Sequence, residues 1–295
     1  MNMSKHKKIT IAGLVLILVT ATVWLAVGYQ NKGMGNYPID KNFKWRYKLV
    51  NTRDVPLSDV SFSVFSPYPI TANQTVTKVD SDKSYTEITD SLGNQLLRFT
   101  IPVMAPHQSL FIDLKAALSF SVTPQDLNDY NPDNFLNHSS YIESEHPKII
   151  ETARKLKKET PVATTRANYD WVRNRLEYTG YIKEDRGALY ALEHRKGDCT
   201  EYAYLLTALL RASQIPARVI GGYVYPESSV IRAQDYHNWV EVFFDNQWHI
   251  VDPQKGRFLD RTQEYLAFRI IDDSTDALSN SHQIIISDKN VKVSL

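Results

Sequence analysis

The sequence predicts an α+β chain in three parts: an N-terminal membrane helix, a small strand-rich domain and a mixed helix–sheet domain. Three observations predict it. Residues 9–29 are an uncharged apolar run. From residue 43 to 122, short segments alternate apolar with polar side chains, the period of half-buried strands. From residue 147, apolar residues recur at helical spacing and then return to strand alternation.

The run at 9–29 is long enough to cross a bilayer as one helix, which takes about 20 apolar residues. Lys5, Lys7 and Lys8 precede it, and flanking positive charge stays in the cytoplasm. Residues 1–8 are therefore expected as a cytoplasmic stub and 9–29 as a signal-anchor, with the remainder extracytoplasmic. The rival expectation is a cleaved, secreted chain, because Ala26-Val27-Gly28 has the small-x-small form that signal peptidase accepts near Gly28. The run exceeds the about 7–15 apolar residues of a signal-peptide core, which favours the retained anchor.

Composition narrows the function. Of 295 residues, 34 are basic and 33 acidic, and the three flanking lysines leave 31 against 33 in the rest. That balance excludes a nucleic-acid surface driven by bulk charge. A hydrophobic fraction of 43% with 17 Tyr, 11 Phe and 5 Trp can bury a core, which excludes a disordered or collagen-like chain. Cys199 is the single cysteine, so neither an intramolecular disulfide nor a Cys-rich zinc site can form.

Residues 37–122 read as a β-sandwich. Phe43, Trp45, Tyr47 and Leu49 point inward from one strand, and Val60, Phe62 and Val64 repeat the pattern. Gly93-Asn94 suggests a two-residue hairpin turn into a strand at 96–101, with further strands at 110–114 and 118–122. A supporting domain is expected, with a spacer or partner-binding role as the alternative. Residues 123–146, rich in Asn, Asp and Pro, read as a linker. The helix–sheet domain is placed at 147–275 and a C-terminal tail at 276–295.

A helix beginning at Pro147 would put Ile149, Ile150, Ala153 and Leu156 on one face. A second, at 167–177, carries Tyr169, Val172 and Leu176 inward and an Arg173–Glu177 pair outward. Gly197 then permits a sharp turn, Asp198 caps a third helix through residue 212, and Cys199 falls in its first turn. There the free N–H groups and the helix dipole are expected to lower the thiol pKa. A buried structural cysteine is the alternative.

Strands follow at 218–225, 235–244 and 247–252, the last two joined by Asp245-Asn246. A two-residue loop pairs Phe244 with Gln247, so Asp252 faces Trp239 and lies diagonal to His237 on one face. A three-residue turn would flip one strand and separate them. A thiol, an imidazole and an orienting carboxylate are the parts of an activated-nucleophile site. Asn238 should point to the opposite face, which leaves Asp252 as the orienting group. His194 and His249 follow no zinc-site spacing, so no metal and no cofactor are expected. Trp239 and Trp248 are expected as core residues that shield the site, with lining a substrate cleft as their secondary role. Asp235 and Glu241 could tune substrate charge or simply be solvated.

The blocks Gly197-Asp198-Cys199-Thr200-Glu201-Tyr202-Ala203, Gly222-Tyr223-Val224, His237-Asn238-Trp239-Val240-Glu241-Val242 and Trp248-His249-Ile250-Val251-Asp252-Pro253 resemble the transglutaminase-like superfamily core. The helix beginning Tyr169-Asp170-Trp171-Val172 is similar to its entry, and Ile215-Pro216-Ala217-Arg218-Val219 to its helix exit. The resemblance implies a papain-like α+β core with the Cys-bearing helix packed on an antiparallel sheet. It also implies Cys199 as nucleophile, His237 as acid/base and Asp252 as orienting carboxylate, acting on a peptide or protein substrate through a thioester. The oxyanion would meet the Cys199 N–H and a second donor, for which Tyr178 and Trp171 are candidates. Members include cross-linking transamidases, proteases and deglycosylating amidases. Hydrolysis is the expected outcome outside the cell, with a transamidase or a non-catalytic envelope scaffold as alternatives. No Asp/Glu-rich loop is patterned for the calcium used by the animal transamidases.

Overall fold

The computed structural model describes residues 35–127, 131–272 and 284–295. The chain divides into two units, Met1–Asn36 and Tyr37–Leu295, and the second carries everything below. The helix expected at 9–29 lies outside the described residues. Among those described, no helix is long and apolar enough to cross a membrane.

Strands β1 (Ile39–Asn51), β2 (Leu57–Phe65), β3 (Ile70–Thr71), β4 (Gln74–Ser81), β5 (Thr86–Thr89), β6 (Gln95–Met104) and β7 (Ser109–Phe120) come first. Next are helices α1 (Pro147–Leu156) and α2 (Pro161–Arg175), strand β8 (Glu177–Tyr178), helix α3 (Gly187–His194), strand β9 (Lys196–Gly197) and helix α4 (Cys199–Ala212). Strands β10 (Ala217–Val224), β11 (Ser229–Val230), β12 (Tyr236–Phe244), β13 (Gln247–Asp252), β14 (Arg257–Phe258) and β15 (Tyr265–Ile271) follow, and β16 (Ile284–Ile286) and β17 (Val291–Ser294) close the chain.

The first seven strands build two facing sheets. One runs β11-β1-β7-β4-β3 with β17 also on β1, the other β16-β2-β6-β5. Alternation in β1 buries Phe43, Trp45, Tyr47 and Leu49, as the period of two requires. The same face also buries Lys41 and Asn51, and each finds backbone acceptors. Lys41 Nζ donates to Tyr225 O (3.1 Å) and Gln263 O (2.6 Å), and Asn51 Nδ2 to Val55 O (2.9 Å) and Ala105 O (3.0 Å).

Three expectations change here. The turn at Gly93-Asn94 is longer than two residues. Thr89 pairs with Gln95, and Asp90 Oδ1 accepts the N–H groups of Leu92 and Asn94 to close the loop. The strands expected at 110–114 and 118–122 are one continuous β7. The tail expected at 276–295 is not appended: β16 pairs with β2 and β17 with β1, so its last residues extend both sandwich sheets.

The sandwich and the helix–sheet region share a core. Tyr223, Leu266 and Phe268 belong to the same buried cluster as Trp45 and Phe62, and the Trp45 and Phe268 rings meet edge to face at 5.7 Å. Gln74 Nε2 donates to Ala267 O (2.9 Å), while Ala267 N–H donates back to Gln74 Oε1 (2.8 Å). Asn94 makes the same reciprocal pair with the backbone of Ile270, at 3.0 and 2.7 Å. These buried amides satisfy β15 backbone groups outside its ladder, which ties the sheets into one unit. The segment expected as a linker at 123–146 is likewise anchored, with Phe135 and Ile142 buried.

The second sheet runs β14-β13-β12-β10-β15. Val219, Val240, Val242 and Val251 face the helices, while Ile220, Trp239, Trp248 and Ile250 face the other side. The β12–β13 turn has Asp245 and Asn246 at φ 50° and 61°, the conformation of a two-residue hairpin whose twist matches its strands. Phe244 pairs with Gln247 and Val240 with Val251, the register the sequence predicts. Helix α2 starts earlier than expected, at Pro161, and ends at Arg175. Arg173 therefore turns to Tyr169 (3.3 Å), and Glu177 enters β8. Helix α3, which carries no clear signal in sequence, has Glu143 Oε2 accepting the N–H groups of Ala188 and Leu189.

Candidate active site

Helix α4 begins with a full capping box. Asp198 Oδ1 accepts Thr200 N–H (2.7 Å) and Glu201 Oε2 accepts Asp198 N–H (3.0 Å). Gly197 makes room for it, because a Cβ there would lie 2.3 Å from that of Glu201. The remaining oxygens hold the preceding loop: Asp198 Oδ2 accepts Ile182 N–H (2.8 Å) and Glu201 Oε1 accepts Arg186 N–H (3.0 Å). The cap thus fixes both the helix start and the 179–186 segment in front of it. Burial raises the Glu201 carboxyl to about 7.

Cys199 is the first residue of α4 and is half-buried. The bond from Asn238 Nδ2 to Thr200 Oγ1 (2.9 Å) sets the first turn of α4, and Cys199 with it, against the His237 end of β12. The expected lowering of the Cys199 pKa does not occur. Burial pushes the thiol up to about 12, and the negative charges of Asp198 and Asp252 add to the rise. Burial is the largest of these influences and favours the neutral thiol.

His237 is the second residue of β12, opposite Gly222 of β10. Gly222 admits no side chain, since a Cβ would lie 2.1 Å from Leu266 O. His237 Nε2 and Asp252 Oδ2 are 2.7 Å apart, and Asp252 is fully buried. A carboxylate only accepts, so the ring proton is on Nε2 and Nδ1 remains the basic nitrogen. Asp252 Oδ1 accepts Lys255 N–H (2.9 Å), and Oδ2 also accepts the Tyr265 hydroxyl (2.9 Å). Asn238 turns to the other face, where Nδ2 donates to Thr200 Oγ1 at 2.9 Å.

The structure therefore brings His237 and Asp252 into direct contact and bonds the residue after Cys199 to the residue after His237. Residues 150–253 match the transglutaminase-like superfamily core. The chain carries a transglutaminase-like core. An uncharacterized protein of Mycobacterium leprae is 27% identical over 111 residues, 36% of this chain and 39% of that protein. The protein-glutamine gamma-glutamyltransferase of Pseudomonas aeruginosa is 33% identical over 92 residues, 29% of this chain but 14% of its own length. The chain thus spans well under half of the length of these curated relatives. A crystal structure of a candidate cysteine protease from Cytophaga hutchinsonii superposes with a TM-score of 0.59 at 20% identity, covering 87% of this chain and 90% of that one. That likeness is one of fold.

The other residues expected at the transglutaminase-like site separate. Tyr178 is 52% exposed and pairs with Gly197 across β8 and β9, and burial raises its pKa. Trp171 instead carries Arg195 over its ring at 4.3 Å and packs on the helical core. Trp239 and Trp248 are 0% and 2% exposed, so neither offers a surface to substrate and the cleft role is corrected. Trp239 lies between His237 and Tyr265; Trp248 lies under Arg218, 4.2 Å away. Glu241 is not solvated: it forms a buried ion pair with Arg218 at 2.6 Å. Asp235 accepts the Tyr225 hydroxyl at 2.8 Å. His249 stacks on Phe244 and His194 on Tyr190, and burial lowers the His249 pKa. Two contributors were missed in sequence. Glu201 has a readable signal, the Asp-x-x-Glu spacing at a helix start. Tyr265 has none, because only the sheet brings it to Asp252.

Proposed function

We propose that the chain is an extracytoplasmic thiol enzyme that opens peptide or protein amide bonds through Cys199, His237 and Asp252, anchored through residues 9–29. The single observation that carries this is the 2.7 Å contact between His237 Nε2 and Asp252 Oδ2, at the end of β12 that the Asn238–Thr200 bond joins to the Cys199 turn. In this reading Cys199 gives its proton to His237 Nδ1, and the carboxylate stabilises the imidazolium. The thiolate attacks the carbonyl carbon, and the C=O pair moves onto oxygen. Collapse breaks the C–N bond, the imidazolium protonates the leaving amine, and a thioester remains. Water, activated by the imidazole, releases the acid and restores the thiol. The Cys199 N–H, without an intrahelical acceptor at a helix start, would meet the oxyanion, with Tyr178 the better placed second donor.

A thiol raised to about 12 is almost wholly neutral at pH 8, so reactivity must come from the histidine. A thiol-reactive amide probe should label the wild type, not Cys199→Ala, and label His237→Ala at least about a hundredfold more slowly. Equal labelling of His237→Ala would sink the reading. Transamidation is the second reading, favoured by the Pseudomonas aeruginosa relative being a protein-glutamine gamma-glutamyltransferase. Product analysis of a glutamine peptide with and without a primary amine separates the two.

A further inference from the structure

Asp252 Oδ2 is shared. It accepts His237 Nε2–H at 2.7 Å and the Tyr265 hydroxyl at 2.9 Å, while Oδ1 is engaged by Lys255 N–H. Tyr265 comes from β15, an edge of the sheet, with β10 and β12 between it and β13 in the strand order. Its ring meets Trp239 edge to face at 5.0 Å, and Trp239 in turn lies against the His237 ring with centroids 6.4 Å apart. Tyr265 thus reaches both supports of the imidazole, the carboxylate through its hydroxyl and the indole through its ring. All three partners of Tyr265 in this chain of contacts are at most 5% exposed.

We infer that Tyr265 is a positioning residue for His237: its hydroxyl fixes the direction of Asp252 Oδ2 and shares the negative charge that this oxygen offers the ring. The inference rests on the proposed thiol chemistry and adds a fourth member to it. A buried carboxylate with a lone imidazole partner would concentrate its charge on that ring and hold the imidazolium too firmly to return its proton to a leaving amine. A second donor on the same oxygen disperses that charge. The other ionisable groups near these residues include Cys199 and Asp198 from α4, Tyr236 from β12 with Arg269 and Asp185 acting on it, and Arg257 and Asp260 beside Tyr265. None of them changes in the test below.

The test is the pH profile of Cys199 alkylation by iodoacetamide in the full chain. Wild type should show a limb where the thiolate–imidazolium pair forms and another where the imidazolium loses its proton. In Tyr265→Phe the ring contact with Trp239 survives and the hydroxyl does not, so the upper limb should move up by about 0.5 to 1 unit. Difluorotyrosine at 265, a stronger donor of the same shape, should move it down. This second variant keeps every contact and carries the test if Tyr265→Phe does not fold. A Tyr265→Phe profile that coincides with wild type or moves down overturns the inference, as does a difluorotyrosine profile that stays put or moves up. His237→Ala is the control: if it keeps the wild-type profile, the proposed site itself fails, and if it loses both limbs while the Tyr265 variants do nothing, only the role of Tyr265 fails.

Discussion

Asn238 donates its side-chain amide to Thr200 Oγ1 at 2.9 Å, and this bond joins the start of the histidine strand to the start of the cysteine helix. Both residues are buried, and each is the immediate chain neighbour of a proposed catalytic residue. Asn238→Ala should lower stability by about 1–2 kcal/mol and slow Cys199 labelling. Thr200→Val should do the same. In a double-mutant cycle followed by urea unfolding, a coupling of about 1 kcal/mol is expected. Additive effects would mean that the bond contributes nothing.

Arg218 and Glu241 are paired across β10 and β12 with side chains 1% and 2% exposed. Glu241→Ala leaves a guanidinium buried without this carboxylate and should cost about 3–5 kcal/mol. Replacing both, as Arg218→Met with Glu241→Leu, should recover most of that loss, because the desolvation penalty disappears with the charges. Denaturation midpoints of the three proteins check this.

Glu201 gives stability a pH dependence of unusual sign for a carboxylate. Its folded pKa, about 7, lies above the ordinary value near 4.5, so between these limits the native state binds more protons than the unfolded chain. Its contribution is therefore full below pH about 4.5 and falls as pH rises towards 7. Glu201→Gln should flatten that part of the stability–pH curve, whatever it does to the absolute stability. An unchanged slope would show that the carboxyl titrates normally.

The C-terminal residues are expected to be structural. Removing residues 284–295 takes β16 from β2 and β17 from β1, and with them buried Val291 and three partly buried isoleucines. A loss of at least about 3 kcal/mol follows from the apolar area alone. The uncovered edges should also promote association. Thermal unfolding and light scattering at two concentrations test both.

Much of this was legible in the chain because the signals are local. Period-two alternation marked β1 and β2, and Pro147 marked the start of α1. Asp245-Asn246 set the hairpin register, and with it the meeting of His237 and Asp252, since a two-residue turn leaves strand pairing no freedom. The lone cysteine at a capped helix start was equally visible. The folded state decided what depends on burial and on distant partners. Burial reversed the expected direction of the Cys199 pKa, removed Trp239 and Trp248 from any cleft and turned Glu241 into an ion-pair partner. Sheet closure drew residues 284–295 into the sandwich and carried Tyr265 to Asp252. Local sequence specifies backbone conformation and which side chains share a face; the solvation of a group, and the company it keeps across a sheet, exist only once the chain has packed.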